Sequence, residues 1–315
     1  MRQQVFEARH QATWDALQGW LDEKATLETE RVPAAYRQLC HHLTVARERQ
    51  YSPALIDRLQ QLTLGLHQAL YGAQGEGLLS ALRFLWQDLP RQVRAEWRLV
   101  TVSSLLFFGP WIAAFLIVRS QPNLVHLLLS PEETAKYVEM YDPAHQLLGT
   151  TGATRDVLMF GYYILNNISI DFQIFASGLL AGVGPLFFLP FNGLHGGVVM
   201  GHLTNQGLTA SFYGFISGHS SFELIGAVLS GTGGLRMGLG LIHPGRRSRL
   251  EALKEGARTG ARLLFGAAAL TFVAACFEGF WSANTVVPWQ AKVAVGLLFW
   301  LLLILWLTLA GRRTA

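Results

Sequence analysis

His219 and Glu223 stand four residues apart within residues 212–242, an apolar, glycine-rich stretch that reads as membrane-embedded. On a helix that spacing puts both side chains on one face. An ionisable side chain inside a bilayer costs at least ~2.5–3.5 kcal/mol by insertion scales, so the pair needs a role. Three roles fit these residue types. One is a hydrogen-bonded clasp that pins broken helices together. Another is an ion, proton or substrate pathway of the kind that intramembrane carboxylates and imidazoles mark, with Asn166, Asn167 and Asn192 completing the polar cluster. The third is a metal or catalytic site. Zinc takes three or four protein ligands, and the nearby imidazoles, His195 and His202, have no ligand spacing to the pair. No metal and no other cofactor is therefore expected. The chain contains no GxSxG, phosphate-binding loop or HExxH motif, so a non-enzyme is expected. In Cys40-His41-His42 neighbouring side chains point about 100° apart on a helix, which implies a mixture of packed and exposed residues, not a metal cluster.

The elements that must position these residues follow from composition. Of 315 residues, 51% are hydrophobic and 15% charged, against about 25% charged in soluble domains. That predicts an all-α, polytopic helical membrane protein with a soluble portion. The two cysteines, Cys40 and Cys276, are too far apart in sequence to form a disulfide framework. Residues 1–98 read as a helical domain. Its apolar stripes are Phe6, Trp14, Leu17 and Leu21; Ala35, Leu39, Leu43 and Ala46; and Leu55, Leu59, Leu62, Leu66 and Leu70. Ser52-Pro53 is a helix start, and residues 72–77 end that helix. Arg37, Arg91 and Arg94 are candidates for docking a partner, beside the plainer reading of a solvated face. Glu278, beside Trp281, reads as structural.

Residues 99–315 form the membrane domain. Residues 100–118 are a span long enough for ~30 Å of hydrocarbon. An external loop over 119–172 follows, with a capping box at Ser130-Pro131-Glu132-Glu133. Within it, residues 157–170 suit an interfacial helix or an early start of the next span. Further apolar segments cover 174–199, 212–242, 263–281 and 293–309, so about five to six membrane segments are expected. Charge orients them. Residues 119–172 carry 3 Lys/Arg against 6 Asp/Glu, and residues 243–262 carry 6 against 2. The positive-inside rule puts the N-terminal domain, 243–262 and the C-terminus in the cytoplasm. An odd number of crossings must then separate 172 from 246, yet only two long segments lie between. A broken or re-entrant element, interrupted at Pro185, Pro190 and Asn192, is the favoured resolution; three short crossings is the other. Small-residue rows at Gly178 and Gly182, at Gly193, Gly197 and Gly201, and at Gly226, Gly234 and Gly238 could pack helices within the chain or between copies.

The chain resembles the stage II sporulation protein M family of bacterial membrane proteins. In the soluble part the resemblance rests on Tyr36-Arg37-Gln38-Leu39, Leu43, Ala46-Arg47, His67, Tyr71, Pro90, Arg91 and Arg94. In the membrane part it rests on Asn166-Asn167, Phe172, Phe175, Gly178, Asn192-Gly193, Gly197, His219, Glu223-Leu224 and Gly233-Gly234-Leu235-Arg236. Sporulation members often carry proline before this histidine; here Gly218 stands there. The resemblance implies membrane scaffolding in cell-envelope remodelling. The expected function is thus an inner-membrane scaffold that self-associates and recruits envelope enzymes or a regulatory ATPase, with membrane lipids and no nucleic acid among its partners. The alternative is a transporter or channel through the polar region around His219 and Glu223.

Overall fold

A computed structural model describes residues 3–22, 32–71, 77–144, 153–282, 284 and 286–312, without the side chains of 70, 71 and 153–156. Residues 72–76 of the expected helix end, the Leu70 side chain and Arg313 lie outside the described residues. Among the described residues there are twelve α-helices and no strand. The chain divides into two compact units, Met1–Leu82 and Arg83–Ala315.

The first unit contains α1 (Gln3–Leu21), α2 (Val32–Glu48) and α3 (Pro53–Tyr71). Its core is the expected set of stripes: Phe6, Trp14, Leu17, Leu39, Ala46, Leu55, Leu59, Leu62 and Leu66 are all buried. Ser52 caps α3, with Pro53 in the first turn, where a missing N–H costs nothing. The Trp14 indole donates to His42 Nδ1 at 3.2 Å inside this core, while His41 faces solvent.

The second unit begins at Arg83 and not at residue 99 as expected. After α4 (Gly77–Arg83) and a π-helical turn, α5 (Leu89–Ala95) buries Leu89 and Val93 among Leu263, Ala267 and Leu303. Residues 83–96 therefore belong with the bundle. Five helices are long and apolar enough to cross a membrane. They are α6 (Trp97–Ser120), α9 (Val183–Asn205), α10 (Thr209–Ile242), α11 (Arg249–Phe277, continued by a π-helical turn to Ser282) and α12 (Trp289–Leu309). Between α6 and α9 lie α7 (Pro131–Tyr141), which starts at the expected capping box, and α8 (Ala153–Ala176).

Helix α8 bears on the crossing count. The stretch 119–172 is not all loop, because α8 runs the length of the bundle. Its Phe160 meets Phe272 and Phe280, its Asp171 meets Thr271, and the turn after it sets Gly178 on Gly234. Helices α8, α9 and α10 thus lie between α7 and residues 243–248, and of these α9 and α10 are long and apolar enough to cross a membrane. The expected interruption of 174–199 is present, but at Ser177–Leu179, a 3-10 turn, and at Ala181 and Gly182, whose φ angles are 51° and 80°. Glycine adopts that left-handed region without steric cost. Pro185 sits harmlessly in the first turn of α9, and Pro190 is accommodated inside a continuous helix. Asn192 does not break α9; its amide donates to the Phe188 carbonyl one turn back, at 2.8 Å.

Helix α10 is the central post. Its 34 residues span about 51 Å at 1.5 Å per residue, longer than the ~30 Å hydrocarbon layer. It reaches this position because glycine lets backbones approach. A Cβ on Gly178 would fall 2.2 Å from the Gly234 carbonyl oxygen, one on Gly238 2.2 Å from Gly182 N, and one on Gly226 2.9 Å from Thr271 Oγ1. On α9, Cβ atoms at Gly193 and Gly197 would fall 2.1 and 2.2 Å from the Phe107 and Trp111 carbonyl oxygens of α6, and Gly201 sits against Val118. All three glycine rows therefore face helices of their own chain.

Candidate functional site: an ionisable cluster inside the bundle

His219 and Glu223 do share one face of α10, and the neighbouring helices complete a cluster around them. Glu278, from the π-helical turn at the end of α11, comes close enough that one ligand atom from each of His219, Glu223 and Glu278 lies within 4.8 Å of the others. A π turn widens the helix by one residue and is frequent at functional sites. His219 Nδ1 is 3.1 Å from Ser282 Oγ, and its ring packs edge-on against Phe215. Asn167 of α8 donates to Glu223 Oε1 at 2.5 Å. Lys292 of α12, only 6% exposed, donates to the Ser282 carbonyl at 2.6 Å and lies over the Trp281 ring. Glu278 Oε2 is buried without a hydrogen-bond partner. Among the described residues no salt bridge reaches Glu223 or Glu278.

Glu223 also opens onto a cavity of about 190 Å³ lined by Asn167, Asp171, Asn192, His195, Glu223 and Thr271. The buried Asp171 carboxylate accepts from Thr271 Oγ1 at 2.6 Å. Toward the α7 end, Tyr137 Oη is 3.3 Å from His195 Nε2. Burial, with Glu133 adding repulsion, raises the Tyr137 phenol above its ordinary value, so it stays protonated and able to donate. Polar pairs continue down α10: Thr232 donates to Ser103 Oγ at 3.1 Å, and Arg236 pairs with Glu96 at 3.0 Å, not with Glu223. A larger cavity of about 400 Å³ between α6 and α12 is lined almost wholly by apolar and aromatic side chains such as Phe108, Ile112 and Trp300, with no carboxylate, imidazole, lysine or arginine among its lining residues.

Of the expected polar residues, Asn167 and Asn192 join Glu223 at the cavity. Asn166 is exposed and reaches the cluster only by donating to Asn167 Oδ1. Asp171, Glu278 and Lys292 were not expected here. Asp171 falls in the expected external loop, Glu278 reads as structural from the sequence, and Lys292 stands just before the expected span 293–309. The signal for all three is close to the one that picks out Glu223, an ionisable group within or directly beside an apolar segment. Arg91 and Arg94, expected to dock a partner, are engaged within the chain. Arg91 Nε donates to the Gly311 carbonyl at 2.6 Å, and Arg94 donates to the Leu307 and Ala310 carbonyls, each at 2.7 Å. They close the carbonyl end of α12, which lacks intrahelical donors. Arg37 is exposed on α2.

These features define a polytopic helical membrane protein with an ionisable cluster at the heart of its bundle. Residues 103–283, well over half of the chain, match the family model described as stage II sporulation protein M. The chain belongs to that family. Residues 4–72 match a second model, described as a domain of unknown function (DUF8413). No curated protein and no solved structure matches this chain.

Proposed function

We propose that the membrane bundle is a conduit for a small cation, the proton included, with its arginine-rich end toward the cytoplasm and its α7 end outside the inner membrane. The observation that carries this reading is the cavity where Glu223 and Asp171, from two helices, face a common polar space with Asn167, Asn192, His195 and Thr271. Carboxylates are held at such depth at a cost, and a partly open cavity of this volume has room for water and an ion. The polar pairs below it extend the path along α10, and the 243–262 arginines supply the orientation. The test is flux into liposomes carrying the purified chain, read with pH- and cation-sensitive dyes. Glu223→Gln should lower flux at least tenfold while leaving the protein folded. Wild-type liposomes that pass neither protons nor any cation tried would end this reading.

A separate observation supports scaffolding as a second reading. The N-terminal helices form a compact unit with its own family match and display Arg37 on the surface. On this reading the unit recruits envelope enzymes or a regulatory ATPase. Site-specific photocrosslinking from α2 in cells should then capture a discrete protein that Arg37→Glu releases. Crosslinks that vanish from every exposed α2 position would count against it.

A further inference from the structure

We propose that His219, Glu223 and Glu278 form a binding site for one divalent transition-metal ion. It goes beyond the conduit reading and shares only Glu223 with it. Ligands on one zinc-like ion, at ~2.0–2.2 Å each, sit about 3–4 Å apart. The three donor atoms, within 4.8 Å of one another, reach that spacing by side-chain rotation of roughly an ångström. Three observations make this a built site and not a chance meeting of acids.

The first is charge. Two carboxylates and an imidazole meet in a water-poor interior, and no described salt bridge reaches either carboxylate. The one ammonium in the neighbourhood, Lys292, is committed to the Ser282 carbonyl and the Trp281 ring. A dication bound to two carboxylates and a neutral imidazole leaves no net charge, whereas a monovalent ion leaves one negative charge buried. The second is a missing partner. Glu278 is 8% exposed, and its Oε2 is buried with no hydrogen bond. A buried carboxylate oxygen without a donor is costly, and a metal ion supplies the partner. The third is the outer support. A ligating histidine has its other ring nitrogen held by a neighbour, and ligating carboxylates are themselves hydrogen-bonded. Here Ser282 holds His219 Nδ1, leaving Nε2 for the ion, and Asn167 holds Glu223 Oε1. One nitrogen and two oxygens, with room for solvent from the adjoining cavity, suit zinc, manganese or ferrous iron, and the imidazole disfavours magnesium and calcium.

The test is equilibrium binding. The untagged full-length chain in detergent, stripped with chelator, is titrated with Zn²⁺ and with Mn²⁺. One equivalent of at least one of them is expected, with affinity falling at least tenfold in His219→Ala and in Glu278→Gln but unchanged in His243→Ala, a control on an exposed histidine. No saturable equivalent of either metal, or wild-type affinity in both site variants, overturns the proposal. Should the variants fail to fold, X-ray absorption on the zinc-loaded wild type decides. One imidazole nitrogen with oxygen donors supports the site; two or more imidazoles, or sulfur, overturn it. Stoichiometric binding without flux would retain this site and remove the conduit, and flux without binding would do the reverse.

Discussion

Gly193→Ala is expected to cost at least about 3 kcal/mol and to leave little folded bundle. The added methyl would lie 2.1 Å from the Phe107 carbonyl oxygen and 3.1 Å from its carbon. That is backbone meeting backbone, so no rotamer change relieves it, and α6 and α9 must separate along their shared length. Gly178→Ala should behave alike, because its methyl would meet three backbone atoms of Gly234 at 2.2–2.6 Å. The contrast is Gly161→Ala on α8, where nothing lies within 4 Å. There alanine should be neutral or add up to ~1 kcal/mol through helix propensity. Thermal unfolding of the three variants in one detergent gives the comparison. A Gly193→Ala protein as stable as Gly161→Ala would show that the two helices do not approach this closely.

Acid is expected to weaken the N-terminal helices through His42. Burial, and then the neighbouring His10 and His41, lower its pKa from 6.5 to about 4. The folded value lies below the unfolded one, so the stabilisation is complete above pH 6.5 and is lost as pH falls through about 4. The 1.36 kcal/mol per unit of linkage makes the loss up to ~3 kcal/mol across that window. The structural cause is specific. His42 Nδ1 accepts the Trp14 indole proton, and its ring lies 4.1 Å from that of His10; protonation removes the acceptor and places charge in an aromatic core. Hydrogen-exchange protection of α1–α3 in the full chain, corrected for the intrinsic exchange rate at each pH, should fall steeply between pH 7 and 4 in the wild type and less so in His42→Gln, which keeps an acceptor but cannot titrate. Equal acid sensitivity in the two proteins would remove His42 as the cause.

Much of this architecture was readable before any coordinates. The leucine stripes of α1–α3 are one-sided and periodic, so they mark the core of the first unit directly. The Ser130 capping box places the start of α7 because its chemistry is local. Helix α8 was harder. Asn166, Asn167, Ser169, Asp171 and Gln173 lower its hydropathy, and it packs along the bundle because Asn167 and Asp171 find Glu223 and Thr271 on other helices, which is tertiary information. Proline misled for a related reason: a buried bundle can accommodate Pro190, whereas the turn falls at Gly182, where a left-handed φ is needed. At the site, the four-residue spacing revealed His219 and Glu223. Glu278 lies 55 positions beyond Glu223 in the sequence, and only the packing of α11 on α10 unites them.

The grip of Arg91 and Arg94 on the far end of α12 bears on the order of events during synthesis. These arginines leave the ribosome more than 200 residues before the carbonyls they bind, Arg94 and Ala310 being 216 positions apart. Translation must run on through five further hydrophobic helices before those acceptors arrive. The clamp is therefore a late contact in biogenesis, closing only once α12 has been made. A reporter fused directly after residue 309 would remove the Ala310 and Gly311 carbonyls from that latch, so fusions belong beyond Arg312.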